Sequence, residues 1–201
     1  VRNLLVILSI AMMLLLVVGC SGSRQVTRME AETVTDLSGN WNDTDARLVA
    51  EEMIRDCMSR AWITDFTAQN GRKPVVTVGT IRNNSSEHID TETFTTDFER
   101  ELINSGQIKF VASPHQRDEI RNERQEQQQF ASDETAKRLA QETGADFMMK
   151  GGIKSINDQI EGKQTKFYQV DLELINIESN EKVWIGSKEI KKGISQGKTK
   201  W

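Results

Sequence analysis

The sequence predicts an α+β domain: a mixed sheet of about five strands with helices packed on it. Three features predict it. Apolar residues recur at helical spacing in residues 42–60 and 91–104, whereas β-branched, alternating runs fill residues 74–82, 108–112 and much of 146–190. A strand–helix–strand unit with a crossover of about two dozen residues calls for a parallel, right-handed pair. A tight Glu178–Glu181 turn (ESNE) near the C-terminus calls for an antiparallel hairpin, so the sheet must be mixed.

Residues 1–19, VRNLLVILSIAMMLLLVVG, carry one charge, Arg2, ahead of an apolar run from Leu4 to Val18. At about fifteen residues this run is shorter than the roughly 20 that a bilayer-spanning helix needs. It therefore reads as an export signal that is removed. Gly19, Cys20 and the following Ser21-Gly22-Ser23 resemble a bacterial lipoprotein signal, whose Cys is acylated and becomes the first mature residue. Acyl chains contribute about 0.8 kcal/mol per buried CH₂, enough for several of them to hold the protein on a membrane. Ser21 is not the Asp that retains such lipoproteins at the inner membrane in enterobacteria, so the expected location is the envelope, at the outer membrane facing the periplasm. With Cys20 acylated, Cys57 has no partner for an intramolecular disulfide.

Residues 20–40 are rich in Ser, Thr, Gly and charge, and read as a flexible tether with an r.m.s. span of roughly 25 Å. The domain itself is expected over residues 41–192. Its first helix is Asn42 to Arg60, with Asp43, Thr44 and Asp45 at the cap and first turn and Cys57 on the apolar face as a small buried hydrophobe. After the Asn70-Gly71 turn, Pro74 to Arg82 (PVVTVGTIR) reads as a strand. Thr91 to Asn104 places Phe94, Phe98 and Leu102 on one face of a helix closed by Gly106, and Ile108 to Ala112 is a short strand.

Ser113 to Gln129 has Pro114 at a first helical position, but Ile120 is nearly its only apolar residue, so this helix should lie largely in solvent. Ser132 to Thr143 is a further helix, capped by Ser132 and ended by Gly144. Strands follow at Asp146–Ile156, Lys166–Ile177 and Lys182–Ile190, with the ESNE turn joining the last two. Residues 193–201 read as a frayed tail.

With 37% hydrophobic and 28% charged residues, the chain can bury a core. Its 26 basic and 30 acidic residues give a formal charge of -4, without the positive field that holds nucleic acid. Two Cys and two His are too few for the usual zinc ligand set, and no cofactor is expected. No P-loop, GxGxxG, HExxH, CxxC or GxSxG motif occurs. His88 and His115 sit among polar neighbours and read as solvated. Adjacent acids such as Glu51-Glu52 and Asp118-Glu119 point in different directions on helices, so no carboxylate pair is selected for glycoside chemistry. Lys188, Lys191, Lys192, Lys198 and Lys200 read as a soluble edge and tail. Of the four tryptophans, Trp62 and Trp184 read as core, while Trp41 and Trp201 lie at predicted ends where burial is less assured. The chain thus reads as a binding module without catalysis or a small-molecule substrate.

Four stretches together resemble one family: LSGNWNDTDARLVAEEMI (37–54), RKPVVTVGTIRNNSSEHIDT (72–91), TGADFMMKGGI (143–153) and ESNEKVWIGSKEI (178–190). In this order, behind a lipoprotein-type signal, they are similar to the penicillin-binding protein activator LpoB family. The resemblance implies a domain like the N-terminal domain of TolB, in a lipoprotein that binds a bifunctional class A penicillin-binding protein and stimulates its glycan polymerisation and crosslinking. Activation would come from binding the active conformation of the synthase more tightly than the inactive one.

The polar loop Arg82, Asn83, Asn84 to His88 and the flanking Trp41-Asn42-Asp43 are the expected partner contacts. Two alternatives make different demands. A subunit of a CsgG-like outer-membrane secretion assembly needs extra hairpins of about ten alternating residues per strand with an apolar band. Only Lys166–Ile177 reads as long enough. A wall-binding or wall-cleaving enzyme would bind or hydrolyse peptidoglycan unaided.

Overall fold

The computed structural model describes residues 26–30, 33–130 and 143–195. The signal-like segment with Cys20, most of the helix expected at Ser132–Thr143, and the end of the chain with Lys198, Lys200 and Trp201 lie outside the described residues. The chain divides into two units, Val1–Thr33 and Val34–Trp201. In the first, the described residues are irregular and exposed. The second holds the domain.

Helix α1, Asp43–Met58, starts at Asn42 with a reciprocal cap: the Asn42 side chain accepts from the Asp45 N–H and Asp45 accepts from the Asn42 N–H, both at 3.0 Å. Its inward face carries Val49, Ala50, Met53, Ile54 and Cys57, all buried. A short helix that the apolar pattern did not reveal, α2 (Trp62–Asn70), follows and stops at Gly71, whose φ of 66° suits a residue without Cβ. Strand β1 is Val75–Asn84, helix α3 is Thr91–Asn104 and strand β2 is only Lys109–Phe110. Helix α4, Pro114–Phe130, has no buried residue, as expected of a helix lacking an apolar stripe. The sheet closes with β3 (Phe147–Ile160), β4 (Lys163–Asn176) and β5 (Lys182–Ser195).

The strand order is β2-β1-β3-β4-β5. β1 runs parallel to β2 and β3, and the β3–β4 and β4–β5 pairs are antiparallel, so the sheet is mixed as expected. Glu161 and Gly162, at φ 32° and 76°, turn β3 directly into β4. Each of the last three strands has 14 residues, which corrects the expectation that only one was long. The extra length carries little apolar alternation, and antiparallel backbone pairing, with the buried Lys192 on β5, sustains it.

Helices α1 and α3 cover one face of the sheet. There Phe94, Phe98 and Leu102 of α3 meet Val76, Met149, Val170, Leu172 and Leu174, together with the α1 stripe. Trp62 and Phe66 of α2 pack edge-on to Phe147 at 5.2 and 5.3 Å. Cys57 is fully buried, its thiol pushed up to about 12 by desolvation, which keeps it protonated. The strand starts are tied by Asp146, which accepts both guanidinium nitrogens of Arg72 at 2.7 Å and the Val75 N–H at 2.8 Å.

Candidate functional site

Beyond the ends of the helices, the covered face of β4 turns polar. Lys166 and Tyr168 occupy the row that carries Val170, Leu172 and Leu174 further along. Their partner is Glu87, in the loop after β1: its carboxylate accepts from Lys166 Nζ at 2.6 Å, Tyr168 OH at 2.7 Å and the Trp41 N–H at 3.0 Å. Lys166 also donates to Asn40. On β5, Lys192 is only 8% exposed and reaches Asp45 at 2.5 Å, Asp36 at 2.8 Å and the Asn40 carbonyl at 3.0 Å. Residues 35–42, the lead-in to α1, are thus clamped to two strands by ionic contacts. The soluble-edge reading of Lys192 is corrected, since its ammonium is a buried anchor.

The electrostatics follow from this packing. Burial opposes ionisation of Glu87, but the hydrogen bonds from Lys166, Tyr168 and Trp41 outweigh it and hold the carboxyl below its ordinary range. Burial and the Glu87 carboxylate both push the Tyr168 phenol up. Burial likewise opposes the charge on Lys192, and Asp36 and Asp45 overcome it, raising the ammonium pKa.

The expected contact residues divide between this clamp and the opposite face. Trp41 is half-buried, edge-on to Tyr168 at 5.6 Å, and Asn42 is committed to capping and to Thr35 and Asp36. Asp43 is exposed beside it. Asn83 shapes its own turn, accepting from Ser85 and donating to the Glu87 carbonyl at 2.7 Å, and His88 is exposed at the end of that turn. Glu87 joins the two expected patches. It lies inside the expected loop, but its ionic role, like those of Lys166 and Lys192, was not visible in the sequence, because their partners lie from 46 to 156 residues away. One signal was available: two lysines at inward positions of alternating strands require buried anions.

Arg82 and Asn84 point the other way, onto the face of the sheet that bears no helix. They rim a depression of about 470 Å³ shared with Met148, Lys150, Lys154 and Ile185. Its floor lies at Gly152, where a Cβ would come within 3.0 Å of the Arg82 carbonyl and the Asn84 amide nitrogen. Lys154 pairs with Asp171 at 2.9 Å and Lys150 with Glu173 at 3.5 Å, and Glu173 also takes Lys182. Desolvation works against Asp171, but hydrogen bonds from Lys154, Gln169 and Ser187 hold its pKa low. The Arg82 guanidinium and the Asn84 side-chain amide have no hydrogen-bond or ionic partner among the described residues, so both are available to a partner surface. Among the described residues, no group of three His, Cys, Asp or Glu is placed to hold a metal, and no helix is long and apolar enough to cross a membrane.

Comparison with known proteins adds structural similarities, among them those that follow. The chain resembles the LpoB C-terminal domain of Salmonella enterica at 14% identity, with 64% of this chain and 91% of that one covered and a TM-score of 0.35. It resembles E. coli LpoB at 12% identity, with 90% and 86% covered and a TM-score of 0.38. Lipoprotein GNA1162 of Neisseria meningitidis is similar at 10% identity, with 60% and 83% covered and a TM-score of 0.37. No curated protein matches the sequence. The model of the family described as peptidoglycan-synthase activator LpoB matches residues 45–190, from the first turn of α1 to the middle of β5, and the chain belongs to that family.

Proposed function

We propose that this protein is a non-enzymatic lipoprotein of the cell envelope, anchored through Cys20, that binds a class A penicillin-binding protein and stimulates its glycan polymerisation and crosslinking. The family match from the first turn of α1 to the middle of β5 carries this reading. The surface supports it: the helix-free face offers an unpaired guanidinium and amide in a shallow, mixed-charge depression, a form suited to a protein surface. Arg82 and Asn84 would touch the partner there, while Asp43 and His88 extend the contact around the loop that Trp41, Asn42 and Asn83 hold in shape. The periplasmic face of the outer membrane is the location that the signal-like segment favours. Activation requires only that the synthase's active state bind better, and a coupling of about 1–3 kcal/mol gives roughly 5- to 150-fold stimulation.

The secretion-pore alternative gains strand length from β3, β4 and β5. It lacks support in their outward faces, where Lys150, Lys154, Asp171 and Glu173 stand in place of an apolar band. The deciding experiment adds the purified full-length protein to a class A synthase from the same cells and follows glycan polymerisation. Stimulation is expected, and an unchanged rate together with no binding would sink the reading. Cys20→Ala should release the protein from membranes, and retention there would argue for an uncleaved anchor.

A further inference from the structure

The sheet ends on one side at β2, with two residues, and on the other at β5, with 14. β5 pairs only with β4, and its backbone groups facing away from β4 meet no hydrogen-bond partner among the described residues. A groove of about 620 Å³ runs along this edge, between α1 and residues 184–188. At one end Lys188 bridges to Glu52; at the other Trp184 Nε1 donates to Asp56 at 2.7 Å, and Arg60 also binds Asp56. Between them lies Gly186, buried beside the Trp184 ring, which a Cβ there would strike at 2.2 Å, so this stretch of the edge carries no side chain of its own between Ile185 and Ser187.

The charges in the groove select its occupant. Glu52, Asp56, Arg60 and Lys188 neutralise one another, and this leaves the exposed Arg55 guanidinium without a partner among the described residues. On the other side of the edge, Ile185 is 64% exposed and also lines the depression that holds Arg82. The groove and the helix-free face are therefore continuous around β5. A second copy of the chain is disfavoured there, since the acids of its matching groove, Glu52 and Asp56, are already bound to Lys188 and Arg60 and are not free to meet Arg55.

We infer that β5 is the docking edge for an extended, acidic segment of the synthase, which adds to the sheet as a further strand. Residues 184–188 span about 13 Å at roughly 3.3 Å per residue, enough for four or five residues of ligand. Its backbone takes the free edge groups, a carboxylate on one face meets Arg55, and an apolar side chain on the other covers Ile185. Alternating acidic and apolar residues are the pattern that fits. This inference rests on the synthase-activator reading and gives it a mode of contact.

The test is hydrogen exchange of the full-length protein with and without the purified class A synthase, alongside the stimulation assay. Amides within residues 183–189 are expected to slow by at least about tenfold on alternate positions, as new ladder bonds form. Arg55→Glu should weaken synthase binding by about tenfold with only a small fall in melting temperature, because the Arg55 side chain has no partner among the described residues and gives the fold only its charge in the last turn of α1. Stimulation with β5 unprotected, or with R55E binding as tightly as the native chain, overturns the docking edge and leaves the activator reading standing. Loss of both stimulation and protection overturns the two together. Protection of β5 that rises with the protein's own concentration, without synthase, assigns the edge to a second copy and overturns the inference.

Discussion

On the helix side of β4 a single row of side chains runs Leu174, Leu172, Val170, Tyr168, Lys166, and its two halves are held in different ways. The first half packs against α1 and α3 as part of one apolar cluster. The second half lies under residues 35–42 and is held by Glu87, Asn40 and, from β5, Lys192 with Asp36 and Asp45. Apolar packing is non-directional and indifferent to pH; ionic contacts fix one register for the incoming chain but depend on the charges being present. The fold is therefore insulated from solution conditions at its centre and sensitive to them where the chain enters.

Breaking the apolar half should cost most. Leu172→Ala empties a fully buried position and is expected to lose about 2–5 kcal/mol in urea denaturation, by the same amount at pH 7 and at pH 4. In the ionic half, Lys192→Met strands the Asp45 carboxylate at 7% exposure and should cost about 3 kcal/mol. Pairing it with Asp45→Asn removes the orphaned charge and should recover much of that loss, which a double-mutant cycle would measure.

Glu87→Gln comes next, at about 2 kcal/mol, because it leaves the Lys166 ammonium, 10% exposed, without its anion, although the amide oxygen can still accept its hydrogen bond. The pH dependence sharpens the contrast. The folded pKa of Glu87 lies below its ordinary 4.5, so its contribution is present above that value and is lost as pH falls through the folded one. Protection of the Trp41 amide, its exchange rate taken relative to the intrinsic rate at each pH, should fall with acid in the native chain and stay level in E87Q. Lys192 has the opposite sense: its folded pKa is raised above 10.5, so its contribution is complete below that and fades as pH rises through the folded value. Smallest in stability is Arg82→Glu, within about 0.5 kcal/mol because the side chain is exposed and unpaired, although it should abolish most synthase stimulation.

Local pattern carried much of the fold. The Phe94, Phe98, Leu102 spacing marked α3 to the residue, and Asn42 to Arg60 marked α1 within two residues of each end. Helix α2 was hidden because only Trp62 and Ile63 are buried in it, too short a stripe to show a period. The outer thirds of β3 and β5 were hidden because Asn157 to Gln159 and Lys191 to Ser195 carry no apolar alternation, and backbone pairing with β4, together with the Lys192 ion pairs, makes them strands. Of the site, the sequence picked out Arg82 and Asn84 as a polar loop but not the face they share, since that depends on a register with β3 set by the irregularity between Val78 and Ile81. Asp146 and Glu87 carry no local pattern that marks them. Their meaning comes from cations and amides far along the chain.

The direct Glu161-Gly162 reversal has a further consequence, for the order in which the molecule assembles. β3, β4 and β5 are successive hairpins whose closure costs little loop entropy, whereas β1 must wait for about sixty intervening residues to be looped out before it can lie alongside β3. The C-terminal meander should thus be the nucleus and β1 the late arrival. Mutations at Leu172 would slow folding, and those at Val76 would chiefly hasten unfolding.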